Sequence, residues 1–387
     1  MKKMAILHSA DFKYISMGGV TEYVEKIIIQ NKDYEIDVYG VSNPGDFELG
    51  KRYIREVGGV KYNFIALTDK VQYPISWHYF IAMIKQIKLF NKYDIIYAQR
   101  VEYVLPFIFS PIKKKTLFAI HGSGLYGKEK NGSKFNNLIN LKIEKVGIRI
   151  SKMTIVLLNR EEYGVPYYRK SNPRYADKIQ YSKVPIDTKN FKKYEKKQAR
   201  QELGIELEKT VIVYFGRIQD HPKRVFLFPE IIQKIKKQGK DICLYMIGDG
   251  ESLEIMKKKV ESLKLEDNII FLGRLQHGET LSKYICAADA TMVLSVFEGI
   301  CMSALESIAC GIPVIATDVG DIHDYIKNGN NGWIIKNESN QQIVEDTVNI
   351  ICKIAEGEKV KMNDDYMNYD SERVVKELFQ LIEEKIN

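Results

Sequence analysis

Short apolar strand patterns alternate with helical segments twice along this chain, in two runs separated by a polar, lysine-rich break, and this restricts the fold more than any other feature. In the first run Met4-Ala-Ile-Leu, Ile36-Asp-Val-Tyr, Ile95-Ile-Tyr-Ala, Thr116-Leu-Phe-Ala-Ile and Thr154-Ile-Val-Leu-Leu read as strands. Helices are expected over 21–29, over 81–90, where apolar residues recur at 3-to-4 spacing, and over 135–151. The second run has strands at Val211-Ile-Val-Tyr-Phe, Cys243-Leu-Tyr-Met-Ile, Ile269-Ile-Phe-Leu, Ala290-Thr-Met-Val-Leu and Pro313-Val-Ile-Ala. Strands that alternate with helices predict a parallel sheet covered on both faces. The chain is therefore α/β, with two doubly wound, Rossmann-like domains. The break near Val184-Pro-Ile-Asp187 divides it into 1–187 and 188–371, and 372–386 reads as a final amphipathic helix. A chain of 387 residues is long enough for two cores.

Ligands of such sheets sit outside the carboxyl ends of the strands. Gly216, Gly248, Gly273, Ser295 and Thr317 all fall there in the sequence, which places the candidate site in a cleft between the domains. The densest cluster of polar chemistry is Ser295-Val-Phe-Glu-Gly-Ile-Cys-Met-Ser-Ala-Leu-Glu306. Gly299 lets backbone approach a ligand, and the helix that opens behind it offers unpaired N–H groups to an anion. Eight helical positions separate Glu298 from Glu306, a rise on the order of 12 Å. That separation suits a ligand with hydroxyls at both ends and a diphosphate between them, which describes a nucleotide sugar. A hydrolase would need both carboxylates on one bond, roughly 5–10 Å apart, which a loop followed by a helix does not provide. Cys301 has no base near it in sequence and is not read as a nucleophile.

The net charge of +8 calls for an anionic partner: nucleic acid, membrane or phosphorylated substrate. Lysine clusters at 113–115, 192–193, 196–197 and 257–259 lack the interleaved aromatics of a base-stacking surface, so no nucleic-acid partner is expected. Five cysteines without a Cys-x-x-Cys pair argue against a disulfide framework and a zinc site. No signal peptide is read at the amino terminus, and Val104-Leu-Pro-Phe-Ile-Phe-Ser-Pro-Ile112 is too short to span a bilayer. The expected location is cytoplasmic, with peripheral membrane association an extension of the same basic character.

Taken in order, several pieces resemble one family. They are Gly18-Gly19-Val, His121-Gly122, Phe215-Gly216-Arg217-Ile218 with Lys223, Ile247-Gly248-Asp249-Gly250, Phe271-Leu272-Gly273, Glu298-x7-Glu306 and Cys310-Gly311-Ile-Pro313-Val. The set is similar to glycosyltransferase family 4, the group 1 glycosyltransferases, which are retaining enzymes of the GT-B fold. In that fold the final helix returns to the first domain. The resemblance implies a nucleoside-diphosphate sugar donor, a UDP-sugar by expectation, and a glycan, glycolipid or polyprenyl-linked acceptor in polysaccharide or glycoconjugate synthesis. It also implies catalytic roles for Glu298, His121 and Arg217. Glu298 would bind the donor sugar's hydroxyls, Glu306 the ribose, and His121 would lie near the anomeric carbon. Gly18, Gly19, Gly248, Arg274, Leu275, Ile300, Cys301 and Met302 complete the implied donor site, with the N–H groups of 300–302 as a phosphate cradle. Ser123 and Gly124 would line the acceptor side.

No Asp-x-Asp is present, and Arg217 with Lys223 supplies the cations that a metal would otherwise provide, so no metal or other cofactor is expected. Three departures stand out. The cation pair is one residue wider than the family's usual spacing, which makes Arg224 a competitor of Lys223. Ile300-Cys301 replaces Phe-Gly, and Val184 stands where Asn is usual before the linker residue Asp187. The departures at Val184, Ile300 and Cys301 keep a second class open, that of a catalytically inactive partner or stabilising subunit.

Overall fold

The computed structural model of the chain describes residues 1–10, 19–72, 75–122, 134–275, 278–362 and 364–386, with 134–138 as backbone only. It forms two compact units, Met1–Pro185 with Ser371–Asn387, and Ile186–Asp370. The boundary falls two residues before the one read from the lysine-rich break.

The first unit carries β1 (Lys2–Leu7), β2 (Tyr34–Val41), β3 (Arg52–Val57), β4 (Val60–Thr68), β5 (Ile95–Ala98), β6 (Thr116–Ile120), β7 (Met153–Val156) and β8 (Ile179–Tyr181), in the order β3-β4-β2-β1-β5-β6-β7-β8. All neighbours are parallel except β3 and β4, so the wholly parallel sheet expected above is corrected to a mixed one. The cause is local. Gly58 and Gly59 both take positive φ, 55° and 77°, as a two-residue hairpin turn of the twist-matching type requires. A Gly-Gly pair between alternating residues was the available signal. The helix expected over 81–90 is Ile75–Lys85, followed by a tighter turn over Ile87–Lys92. Apolar spacing runs through both, so periodicity alone could not find the break at Gln86. The last helix, Ser371–Ile386, packs on the helix Gly19–Gln30 of this unit. Its Ser371 Oγ accepts from Gln30 Nε2 at 3.1 Å, and Phe379 meets the Tyr34 ring at 4.9 Å.

The second unit carries β9 (Thr210–Phe215), β10 (Ile242–Ile247), β11 (Ile269–Gly273), β12 (Ala290–Val293), β13 (Val314–Thr317) and β14 (Gly332–Ile335), all parallel, in the order β11-β10-β9-β12-β13-β14. β9 shows why this sheet is covered on both sides. Val211, Val213 and Phe215 enter one apolar core with the helix Met302–Ala309, and Ile212 and Tyr214 enter the other with the helix Phe228–Lys237. Fully burying one such aliphatic side chain stabilises by about 1.5–3 kcal/mol.

Candidate functional site

In an open α/β sheet the chain leaves adjacent strands in opposite directions at one point, and a crevice opens outside their carboxyl ends. In the second unit that point lies between β9 and β12. Gly216 and Arg217 follow β9, and 295–299 follow β12. Lys223 ends the short helical turn Asp220–Lys223, and its Nζ lies 2.5 Å from Glu298 Oε1. Ser295 Oγ donates to the same oxygen at 2.6 Å. Both bonds fall on Oε1, so Oε2 is the oxygen through which a ligand hydroxyl can be held. Burial works against the Lys223 ammonium, yet the Glu298 carboxylate pushes its pKa above the ordinary lysine value. The two are a fixed ion pair at neutral pH.

Arg224 has a different job. Its guanidinium donates to the Ser295 carbonyl at 3.0 Å, the Leu294 carbonyl at 3.3 Å and Asn337 Oδ1 at 2.8 Å, while Asn337 Nδ2 donates to the Val296 carbonyl at 2.8 Å. Thr317 Oγ1 adds a bond to the Ser295 carbonyl at 2.6 Å. Arg224 therefore ties down the loop that presents Glu298, and Lys223 is the cation beside the carboxylate. Sequence reading missed Asn337, which is remote and carries no motif.

Backbone contacts join the loops beyond β9, β10 and β11. Gly216 N–H donates to the Ile247 carbonyl at 2.9 Å, Gly248 N–H to the Gly273 carbonyl at 2.8 Å, and Ile218 N–H to the Asp249 carbonyl at 2.9 Å. Gly248 has φ of 145°, and a Cβ there would lie 1.8 Å from the Gly216 carbonyl oxygen. No rotamer relieves a clash with backbone. Gly248→Ala is expected to cost about 3 kcal/mol or more, with a fall in Tm of about 6–12 °C for a unit of this size. Gly239→Ala is the control, because Gly239 also has positive φ but nothing within 4 Å of an added Cβ. Differential scanning calorimetry of the two variants checks this, and equal losses would remove the close-approach argument.

The helix Met302–Ala309 starts four residues after Glu298 and buries Glu306, which is 4 % exposed. At its start, two of the three N–H groups expected as a phosphate cradle have partners within the protein. Cys301 N–H donates to the buried Tyr325 hydroxyl at 3.2 Å, and Met302 N–H to the Ile300 carbonyl at 3.1 Å. Tyr325 takes the first of these donors, a contact that no local pattern announces, and the second closes within the turn itself. Burial, followed by the Glu298 charge, pushes the Cys301 thiol up to about 11. A protonated, buried thiol is no nucleophile at neutral pH.

The first unit has a polar cluster at its own switch point, between β1 and β5. His8 follows β1, Gln99 follows β5 and His121 follows β6. His8 Nε2 lies 3.0 Å from Thr21 Oγ1, and His121 Nε2 lies 2.7 Å from Gln99 Oε1. Tyr23 meets His121 edge-on at 5.0 Å and hydrogen-bonds the Tyr97 hydroxyl at 2.6 Å. Burial lowers His121 to about 3, with further contributions from His8 and Arg100, and lowers His8 to about 4. Both are neutral at physiological pH, so His121 can give or take a hydrogen bond but supplies no positive charge. Gln99 and His8 were not picked out in the sequence, and the strand-end rule that found His121 also points to them.

Gly18, Ser123 and Gly124 lie outside the described residues. Gly19 opens the helix Gly19–Gln30 and is exposed, as are Arg217 and Arg274, whereas Leu275, Ile300 and Met302 are half-buried. Gly273 and Thr317 prove to be the last residues of their strands. Asp187 caps its own turn, accepting from the N–H groups of Lys189 and Asn190 at 3.2 and 3.1 Å. Val184 is buried. Among the described residues, no group of three or more His, Cys, Asp or Glu side chains is arranged to hold a metal ion.

Residues 195–361, all within the second unit, match the family described as glycosyl transferases group 1. N-acetyl-alpha-D-glucosaminyl L-malate synthase of Bacillus anthracis is 27 % identical over 38 % of this chain and 38 % of that protein. The O-antigen biosynthesis glycosyltransferase WbnH of Escherichia coli is 30 % identical over 42 % of this chain and 40 % of its own length. The match thus spans about two fifths of each of these curated relatives. Among solved structures, sucrose-phosphate synthase from Thermosynechococcus elongatus superposes with a TM-score of 0.78 at 17 % identity, covering 99 % of both chains. Anabaena HepE in complex with UDP and glucose superposes with a TM-score of 0.71 at 14 % identity, covering 99 % of this chain and 100 % of that one. The fold is therefore that of the two-unit, doubly wound glycosyltransferases.

Proposed function

From the premise that residues 195–361 belong to the glycosyl transferases group 1, we propose that this protein moves a sugar from a nucleoside-diphosphate sugar to an acceptor hydroxyl and retains the anomeric configuration. The observation that carries the reading is the Lys223–Glu298–Ser295 constellation at the β9–β12 switch point, with Arg217 on the neighbouring loop. Arg217 and Lys223 neutralise the departing diphosphate, Glu298 holds the sugar through Oε2, and Glu306 takes the ribose. His121 serves the sugar as a neutral hydrogen-bonding group. Both bonds known for Glu298 fix its orientation before a ligand arrives, which removes part of the entropic cost of positioning it. The acceptor attacks from the face the diphosphate leaves, and a diphosphate oxygen takes its proton. Fixed cations that meet the growing charge are the main source of rate in such a step.

The donor we favour is a UDP-sugar, in line with the UDP and glucose bound to Anabaena HepE. Cell-surface polysaccharide or glycoconjugate synthesis is the favoured setting, in line with the O-antigen role named for WbnH. Among the described residues no helix is long and apolar enough to cross a membrane. The helix Ile75–Lys85 leaves Trp77, Ile81 and Ile84 exposed, and this supports a glycolipid or polyprenyl-linked acceptor met at the cytoplasmic membrane face.

A thermal-shift panel of nucleoside diphosphates and their sugars tests the reading. A ligand at a hundred times its Kd stabilises by about 2.7 kcal/mol, or about 5–10 °C for a unit of this size. A panel in which no nucleotide sugar shifts the Tm would sink the proposal. Because the cation pair takes the metal's place here, transfer is expected to stay within about twofold when EDTA is added. Loss of activity that magnesium or manganese restores would show that a metal holds the diphosphate.

A further inference from the structure

The amino-terminal edge of the first unit's sheet holds a second concentration of charge, remote from the strand ends described above. A pocket of about 320 Å³ opens there, lined by Lys113, Lys114, Arg149, Ser151, Lys152 and Lys178, with Ile150. Five of its lining residues are cationic and none is acidic. The geometry follows from the topology. Lys115, Lys152 and Lys178 immediately precede β6, β7 and β8, which run parallel, so their starts lie on one edge. His121 and Gln99 lie at the other edge, about 16 Å away along the five residues of β6.

Cations are ordinary near a helix carboxyl end, because they meet its unpaired carbonyls. The helix Lys134–Ile150 ends here, and Lys178 Nζ does serve it, donating to the Ser151 carbonyl at 3.0 Å and the Arg149 carbonyl at 3.3 Å. Lys113 Nζ donates to the Ile108 carbonyl at 3.1 Å. That accounts for two of the five. Among the described residues Lys114, Arg149 and Lys152 line the same pocket without an acidic partner, and all three are exposed. Burial and then the Lys152 charge hold Lys178 below the ordinary lysine range, the direction expected where like charges are crowded without an anion.

We propose that this pocket is a second anion site that binds a phosphate group, as a phosphate ester or diphosphate, independently of the nucleotide-sugar site. An Arg fork beside lysine point charges is the combination suited to phosphate oxygens. The size admits a phosphate with part of what it is attached to. The site stands whether or not the transfer reading holds, because none of its residues belongs to that reading.

The test uses the full chain, with inorganic pyrophosphate as one probe and phosphatidylcholine vesicles with or without phosphatidic acid as the other. Hydrogen exchange at 149–152 and 177–179 is expected to slow with at least one probe in wild type and in Arg217→Ala alike. Protection by pyrophosphate assigns a free phosphate, and protection by the acidic vesicles alone assigns a lipid headgroup. Arg149→Gln with Lys152→Gln should weaken that protection about a hundredfold, at about tenfold for each lost charge-assisted contact. Lys114→Gln, which changes one exposed side chain, should weaken it about tenfold and guards against a double variant that folds poorly. The proposal is overturned if wild type shows no protection with either probe, or if folded variants bind as wild type does.

Discussion

Arg217→Ala is expected to stay folded and to lose about a hundred- to a thousandfold in sugar transfer. The fold should survive because Arg217 supports its loop through backbone. Its carbonyl accepts from the Tyr214 hydroxyl at 2.6 Å and from Gln219 N–H at 3.0 Å, and the side chain itself is exposed. Transfer should suffer because charge builds on the diphosphate as the glycosidic bond breaks. A guanidinium fixed there gains more with the transition state than with bound donor. Arg217→Lys should recover little, since a point charge cannot reproduce the bidentate fork. The measurement is turnover and slow donor hydrolysis for wild type and both variants, with Tm in the absence of ligand as the control. Variants that match an active wild type would move the site elsewhere. A wild type that binds a donor yet neither hydrolyses it nor transfers its sugar would favour an inactive, stabilising partner.

The two carboxylates should separate by role. Glu306→Ala is expected to weaken binding of the bare nucleoside diphosphate by about ten- to a hundredfold, the scale of a charge-assisted hydrogen bond in a buried setting. Glu298→Gln should leave that binding within about threefold and cut transfer by about a hundredfold. Glutamine is the informative substitution at 298. It keeps the shape that Ser295 holds while removing the charge that pairs with Lys223. Alanine there would also strand Lys223, whose side chain is only 26 % exposed, and would confound stability with chemistry. Calorimetric titration of the diphosphate and steady-state kinetics decide the matter. Normal diphosphate binding by both variants would show that neither carboxylate holds the ribose.

Much of this site could be read from the chain because its chemistry is local. Glycine after a strand end, Arg217 beside it, and carboxylates on either side of a helix start are short-range patterns, and each lies at or just beyond the end of its element. Other choices stayed open in the sequence because long-range packing decides between locally equal options. Lys223 and Arg224 are equivalent in sequence, and the distant carbonyls of Leu294 and Ser295, together with Asn337, claim one of them. The N–H of Cys301 would suit a phosphate as well as its neighbours do, until Tyr325 takes it.

The alternation of strands and helices determined by itself that there would be two doubly wound units, because an apolar strand buried on both faces admits few other arrangements. Strand-end chemistry likewise determined which loops hold the polar groups. Tertiary structure alone decided the sheet order, and so which of those loops are neighbours. It also decided that the β3–β4 hairpin closes one edge and that three basic segments, distant in sequence, meet at the starts of β6, β7 and β8. Sequence periodicity reports which face of an element is buried, whereas the choice of neighbour is made by contacts between residues far apart in the chain.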